Sequence, residues 1–213
     1  MLMEDVNLRD SDIQSLSSAD AVASFFAALG YSVERLPQTT AALGITNETL
    51  ARNIQQIEQI AVQDGELYIY LFVMKSMRVS DRQALARTFR NADGEYLLVL
   101  TADYESLDFV LLERVLPRDS AGNPMVRKEV LVQQHVLTVN RRDPGRVALR
   151  VLRRFTYTEA DVFYQIDKLL SAYTVAQWSR PMFNNLALFS DYFLEHRLPD
   201  MPEWSENALP VHQ

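Results

Sequence analysis

The most distinctive group of side chains in this sequence is a run of arginines between positions 141 and 154, in which Asp143 is the only acidic residue. A guanidinium presents a fork of donors that matches phosphate oxygens, so this run favours contact with a nucleic-acid backbone. The alternative is pairing inside the protein, for which Glu159, Asp161 and Asp167 follow closely in the chain. The arginines of this run are Arg141, Arg142, Arg146, Arg150, Arg153 and Arg154.

A second feature with chemical potential is Lys75, which directly follows the apolar run 67–74. A lysine at the end of a strand can assist catalysis or contact phosphate. It can equally pack its aliphatic stem and leave its ammonium group in solvent. The carboxylates that the expected fold brings nearest to it are Glu58 and Glu34, and Glu34 is expected to point inward from the first strand.

Three acidic residues cluster around an expected loop between two strands: Asp103, Glu105 and Asp108. Carboxylates at strand ends can bind a metal, and the alternative is a solvated acidic loop. The three histidines are too far apart in sequence to suggest a local ligand set. The sequence has no cysteine and no Gly-x-Ser-x-Gly segment, so no Cys-His or Ser-His-Asp arrangement can be argued.

Composition narrows the class of protein. The 213 residues are enough for one well-buried core, and the absence of cysteine suits a cytoplasmic protein. No segment reaches the roughly 20 apolar residues of a membrane helix, and the acidic N-terminus does not resemble a signal peptide. The formal net charge of −7 disfavours nucleic-acid binding by the whole surface but allows a local basic patch.

A hairpin around Asp64-Gly65 is the clearest structural signal, because this dipeptide between two apolar runs is typical of a type I′ turn. Pairing across that turn places Ile57 opposite Phe72 and Gln56 opposite Val73. The second arm is apolar on both faces, which predicts a strand in the middle of a sheet with helices above and below.

The remaining elements follow from hydrophobic periodicity and capping residues. Ser18 is expected to cap a first helix, Asn47 a second, and Ser80 to begin a third, while Thr158 begins a long C-terminal helix. Residues 1–17 are expected to form a flexible N-terminus, 18–157 an α/β domain, and 158–213 a helical segment with a linker-like tail. Strands are expected at 31–36, 95–101, 107–116, 130–139 and 146–157, and a further helix at 184–197.

The element order and several phrases resemble a known family. A helix, three mostly antiparallel strands, a helix and another strand form the core order of restriction-endonuclease-like, PD-(D/E)xK nucleases. The chain also resembles the N-terminal region of type IIG restriction-modification enzymes, in which nuclease and methyltransferase share one polypeptide. This likeness covers most of residues 57–204. Its phrases are YIYLF at 68–72, LLVLTADYESLDFVLLERVLP at 97–117, TVNRRDP at 138–144, VALRVLRRFTYTEAD at 147–161 and FNNLALFSDYFLEHRLPDMPEW at 183–204.

The resemblance implies a restriction-endonuclease-like mixed β-sheet flanked by helices, with a helical C-terminal segment. It implies DNA as substrate, Mg²⁺ for the nuclease step and S-adenosylmethionine for the methyltransferase step. Lys75, Glu58 and Glu34 would then be the catalytic residues. The chain has no Asn-Pro-Pro-Tyr segment and no glycine-rich loop after a strand, so methylation would belong to another domain or subunit.

One position departs from the family pattern. The nuclease motif requires Glu or Asp two residues before its lysine, whereas Val73 precedes Lys75 here, and valine cannot bind a metal. We therefore expect a DNA-binding, nuclease-like domain of a restriction-modification or phage-defence system with a degenerate or rearranged catalytic site. The alternatives are an active Mg²⁺-dependent endonuclease, a scaffold for a methyltransferase subunit, and a protein-protein module without a nucleic-acid role.

Overall fold

The computed structural model describes residues 8–63, 66–115, 131–158 and 166–173. The helices are α1 (Asp10–Gln14), α2 (Ala19–Ala28), α3 (Glu48–Asn53), α4 (Val79–Thr88), α5 (Gly145–Arg153) and α6 (166–173), with a short 3₁₀ turn at Phe89–Asn91. The strands are β1 (Val33–Gln38), β2 (Ile54–Gln63), β3 (Leu67–Met74), β4 (Glu95–Thr101), β5 (Ser106–Val115) and β6 (Leu131–Asn140).

These six strands form one mixed sheet whose spatial order follows the chain order. All neighbouring pairs are antiparallel except β3 and β4, which are parallel and are joined through α4. The expected pairs are confirmed, since Ile57 lies opposite Phe72 and Gln56 opposite Val73, but nearer the turn Gln63 pairs with Leu67 and the register shifts between Gln59 and Ala61. The expected α/β class, a mixed sheet flanked by helices, is likewise confirmed.

One face of the sheet packs against α3, α4 and the turn that follows α4. Leu85 and Phe89 share a buried cluster with Tyr70, Phe72 and other alternate residues of the central strands. The strands thereby bury on this face the residues of one parity, as the period of two along an extended chain requires.

The opposite face packs against α2, α5 and α6 around Phe109 of β5. The ring of Phe109 lies 6.3 Å from Phe25, 6.4 Å from Phe26 and 6.1 Å from Phe155, measured between centroids. The Tyr173 hydroxyl donates a 2.9 Å hydrogen bond to the backbone carbonyl of Phe109. Residues 166–173 therefore belong to the same core as the sheet.

The expectation of an arginine-rich strand at 146–157 is wrong, because Gly145–Arg153 is the helix α5. Its buried residues are Ala148, Val151 and Leu152, and Phe155 follows them with no exposed surface. These positions have the i, i+3, i+4, i+7 spacing of one helix face. The β-branched valines favoured a strand, but the tertiary contacts of the helical stripe with the sheet outweigh that weak propensity.

Two of the expected helix caps are confirmed, whereas α4 begins at Val79, one residue before Ser80, with no side-chain cap at Arg78. The Ser18 hydroxyl accepts the Ala21 amide at 3.2 Å, and the Asn47 side chain accepts the Leu50 amide at 3.0 Å. The expected flexible N-terminus does not extend through residue 17, since α1 forms there and Ile13 and Leu16 are fully buried. None of the helices among the described residues is long and apolar enough to cross a bilayer. The expected helix at 184–197 and the tail lie outside those residues.

Candidate functional site

The position that a nuclease motif would occupy lies in a row of paired residues at the carboxyl ends of β3 and β4. Val73 is paired with Gln56 on one side and with Thr101 on the other, and Thr101 is paired with Leu107. Ligands of open α/β sheets commonly bind outside the carboxyl ends of parallel strands. This row contains no carboxylate.

Glu58 lies two rows further into the sheet, opposite Leu71, and its side chain is only 8 % exposed. Arg35 of β1 binds its Oε2 through Nε at 2.8 Å and through a terminal nitrogen at 2.6 Å. The side-chain amide of Gln56 donates a hydrogen bond to Oε1 of Glu58. The same Arg35 also bridges to Asp20 on α2. Both oxygens of Glu58 are therefore engaged, and one guanidinium links two carboxylates across α2, β1 and β2.

The hydrogen bond with Glu58 is the main cause of a raised pKa at Arg35, opposed by desolvation and supported by Asp20. Tyr104 is half-buried near this group, and its pKa is raised first by burial and then by the Glu58 carboxylate. The loop that carries Tyr104 is unusual, because Tyr104 has a left-handed backbone with φ of 62°. Such a conformation costs a non-glycine residue about 1–3 kcal/mol and must be held by its surroundings.

Local hydrogen bonds hold that loop. The Thr101 hydroxyl accepts the Tyr104 amide at 2.8 Å and donates to the Ser106 carbonyl at 2.9 Å. The Asp103 side chain accepts the Glu105 amide at 2.9 Å. The left-handed residue thus turns the chain so that Tyr104 lies near Glu58 while Glu105 contacts a different group of residues, described below.

The three expected catalytic residues do not come together. Lys75 follows β3 with its side chain exposed, and its backbone amide donates to the Asn53 carbonyl at 2.7 Å. Glu34 is exposed on β1 and does not point inward as expected; its neighbour Arg35 contacts Glu58 instead. Only Glu58 is buried at the expected place. Within the described ranges, Lys75 and Glu34 form no ion pair with each other or with Glu58.

The side chains around Glu58 do not supply the ligands that Mg²⁺ requires. That ion requires several oxygen ligands in octahedral geometry, commonly including one or two carboxylates. Here Arg35 places its positive charge against the Glu58 carboxylate, and Val73 supplies no oxygen. Among the described residues, no group of three or more His, Asp or Glu side chains could hold a metal ion. The Mg²⁺ ligands that the nuclease resemblance implies are therefore missing at this position among the described residues.

The acidic residues expected around the β4–β5 loop have separate roles. Asp108 is buried and forms an ion pair with Arg82 of α4 and a 2.6 Å hydrogen bond with Thr138 of β6. Asp103 accepts a loop amide, and Glu105 binds arginines. The three carboxylates consequently do not converge on a metal site.

Three arginines of the run, Arg141, Arg142 and Arg153, are held by contacts inside the protein, although Arg142 and Arg153 remain exposed. Arg141 and Arg142 both bind Glu105, and Arg141 also donates to the Gln14 carbonyl at 3.1 Å. Arg153 donates to the Leu8 carbonyl at 2.8 and 3.2 Å. Internal pairing is thus realised for part of the run, but through Glu105. Of the carboxylates expected to pair, Glu159 and Asp161 lie outside the described residues.

Arg146, Arg150, Arg153 and Arg154 lie on the side of α5 opposite its buried stripe. At 3.6 residues per turn they occupy roughly 100° of the helix circumference. All four are exposed, and the helix sequence GRVALRVLR contains no acidic residue. On a strand Arg153 would lie on the face opposite the other three, whereas the helix brings it beside them. We call these four residues the α5 arginine face.

Arg35, Asp20 and Tyr104 were not identified from the sequence. Arg35 and Glu58 are 23 positions apart, and their contact depends on the pairing of β1 with β2. The short polar strand at β1 gives no local signal for that pairing. No protein-family model, curated protein or solved structure matches this chain.

Proposed function

We propose that this chain is a DNA-binding, nuclease-like domain of a restriction-modification or phage-defence system, and that its cleavage site is degenerate. The order of α2, the three-strand meander β1–β3, the crossover helix α4 and the parallel strand β4 supports a restriction-endonuclease-like fold. The phrases that resemble type IIG enzymes support the biological setting.

The observation that carries DNA binding is the α5 arginine face. The opposite side of α5 is packed into the core, where Val151 and Leu152 are buried. Arginines at i and i+4 on a helix lie about 6 Å apart along the axis, which suits a series of phosphates. A net negative protein can bind DNA through such a face because short-range contacts dominate once the distant charges are screened at about 10 Å.

The state of the nuclease site supports binding without cleavage. Mg²⁺-dependent hydrolysis needs ligands that position the ion at the scissile phosphate. Val73 and the Arg35–Glu58 pair do not provide them. We expect no nicking of supercoiled DNA with Mg²⁺ or Mn²⁺, and identical behaviour of Lys75→Ala. Metal-dependent nicking that Lys75→Ala abolishes would contradict this part of the proposal.

Binding is tested by fluorescence anisotropy with a labelled DNA duplex between about 50 and about 200 mM salt. The double variant Arg150→Glu, Arg154→Glu should lose at least about tenfold in affinity and reduce the salt slope by about 2, one for each phosphate contact removed. The matched control is Arg52→Glu, Arg78→Glu, which changes net charge equally at two exposed arginines away from α5. Equal losses of DNA affinity in both double variants would show that only net charge matters. The α5 arginine face would then be rejected as the DNA-binding surface.

A second candidate function is a scaffold for a methyltransferase domain or subunit. The observation that favours it is the outermost strand β6, on which Leu131 is 56 % and Val136 is 38 % exposed. Exposed apolar residues on an edge strand favour a protein contact. Val136→Lys should weaken co-elution with a companion methyltransferase subunit and leave DNA affinity unchanged. A complex that is unaffected by this change would reject the β6 contact.

A further inference from the structure

Glu105 joins two arginines at the surface beside the β4–β5 loop. Its Oε1 lies 2.7 Å from a terminal nitrogen of Arg141, and its Oε2 lies 2.6 Å from Nε of Arg142. Each carboxylate oxygen therefore takes a different guanidinium. Two oxygens of a phosphate group can engage the same kind of donors.

The position of Glu105 is built by the backbone around it. The Arg141 amide donates to the Glu105 carbonyl at 2.8 Å, and the Arg142 amide donates to the Asn140 side chain at 3.0 Å. The left-handed conformation of Tyr104 and the Asp103 hydrogen bond fix the loop from the other side. Glu105 and the two arginines are therefore held together by two separate chain segments.

The contact is nevertheless accessible. The side chain of Arg142 is 78 % exposed and that of Glu105 is 35 % exposed. Hydrogen bonds from Arg142 and then Arg141 lower the pKa of Glu105, and the bond to Glu105 raises the pKa of Arg142. Glu105 and Arg142 are therefore both ionised near neutral pH. Surface ion pairs of this kind contribute little stability, so exchange of one anion for another is inexpensive.

We infer that Glu105 occupies, in the free protein, the place of a DNA phosphate at Arg141 and Arg142, and thereby sets the strength and salt dependence of binding. This inference rests on the proposed DNA-binding function. Arg142 lies three residues before the start of α5 at Gly145, so a DNA backbone that runs along the α5 arginine face and continues past Arg146 would meet the Glu105 pair next. There it meets two guanidinium groups whose charge is half-compensated by one carboxylate.

The test compares Glu105→Gln with the wild-type full chain on the same labelled duplex across the same salt range. Loss of the carboxylate charge should tighten binding about 3- to 10-fold at low salt. It should also make the salt slope steeper by about 1, because the arginines neutralise one more DNA phosphate, whose counterions are then released. Glu48→Gln is the matched control, since Glu48 is also an exposed carboxylate paired with an arginine, Arg52, but lies on α3.

A double-mutant cycle separates masking from a simple charge effect. Arg142→Gln should cost little affinity in the wild-type background, where Glu105 already engages that side chain. In the Glu105→Gln background it should cost more, by about the factor that Glu105→Gln gained. Thermal unfolding of each variant verifies that the chain remains folded.

The outcomes are distinguishable. Equal effects of Glu105→Gln and Glu48→Gln, or weaker binding by Glu105→Gln, would overturn the inference while DNA binding that depends on Arg150 and Arg154 would keep the proposed function. A wild-type chain that does not bind, with binding gained in Glu105→Gln, would support complete masking. If neither chain binds the duplex at low salt, both the function and the inference are rejected.

Discussion

Arg35 is the residue on which the interior of the candidate site depends. Its guanidinium neutralises Glu58, whose side chain is almost fully buried, and bridges to Asp20 on α2. A buried carboxylate that loses its cation retains the full cost of desolvation. Replacement of both partners by apolar side chains of similar shape avoids that cost. The contact therefore explains the burial of Glu58 without any catalytic role.

We predict that Arg35→Met lowers the free energy of unfolding by about 1–3 kcal/mol, because Glu58 is left without its main partner. Arg35→Met, Glu58→Met should recover part of that loss. The free energies are measured by urea denaturation at neutral pH.

The control for that prediction is Arg52→Met, which breaks an exposed pair with Glu48 and should cost less than about 0.5 kcal/mol. A double variant that is less stable than Arg35→Met alone would show that Glu58 is held by other groups.

At the scale of elements, α2 and α5 are joined through a close backbone contact. Gly30 follows the end of α2 with φ of +95°, and the Tyr157 amide donates to the Leu29 carbonyl at 2.7 Å. A Cβ on Gly30 would lie 2.4 Å from the Tyr157 carbonyl oxygen. The glycine is therefore required twice, for its backbone conformation and for the approach of the segment after α5.

Gly30→Ala should accordingly destabilise the fold more than Gly44→Ala. Gly44 also has a left-handed backbone, with φ of +66°, but nothing lies within 4 Å of its added Cβ. We expect a cost of about 1–2 kcal/mol at Gly44 from the backbone alone. The clash should add about 1–3 kcal/mol at Gly30. Equal thermal shifts of the two variants would show that the Tyr157 segment moves aside freely.

At the scale of the whole molecule, buried phenols make the fold sensitive to alkali. The Tyr96 ring stacks on Tyr68 and lies tilted against Phe89, with ring centroids 5.5 and 4.5 Å away. Burial is the main cause that raises the pKa of Tyr96 to about 12, and it also raises the pKa of Tyr70 and Tyr173. The folded state therefore holds these phenols neutral where the unfolded chain ionises them, near pH 10.

The sign of the pH dependence follows from these raised values. The contribution of Tyr96 to stability is complete below about pH 10 and is lost as pH rises towards about 12, at no more than about 1.4 kcal/mol per pH unit. Tyr96→Phe should flatten this decline, at a cost near neutral pH of about 1 kcal/mol for its lost hydrogen bond to the Asp93 carbonyl. Urea denaturation between about pH 9 and about pH 12 measures the slope, with Tyr68→Phe as comparison. An unchanged slope in Tyr96→Phe would assign the decline to other phenols.

Charge is also distributed unevenly over the molecule. The chain has a formal net charge of −7, yet the α5 arginine face has no acidic residue within its helix. Several carboxylates are instead occupied by arginines inside the fold, as Glu58 is by Arg35 and Asp108 by Arg82. A basic contact surface on α5 is therefore compatible with the net negative charge of the chain.

The sequence by itself determined the elements whose information is local. The caps at Ser18 and Asn47 and the two central strands that are apolar on both faces follow from short-range pattern. It also places Val73 at the position where the family resemblance implies a metal ligand. These features depend on residue type and on neighbours within a few positions.

Only the tertiary structure decided which distant residues meet and which secondary structure α5 adopts. Arg35 reaches Glu58 through strand pairing, and Glu105 reaches Arg141 across 36 positions. The segment after Pro144 satisfies both a strand propensity and a helical stripe, and packing of Val151 and Leu152 selects the helix. Charged side chains have little periodic signal, because their partners are chosen by the geometry of the fold and not by position in the chain.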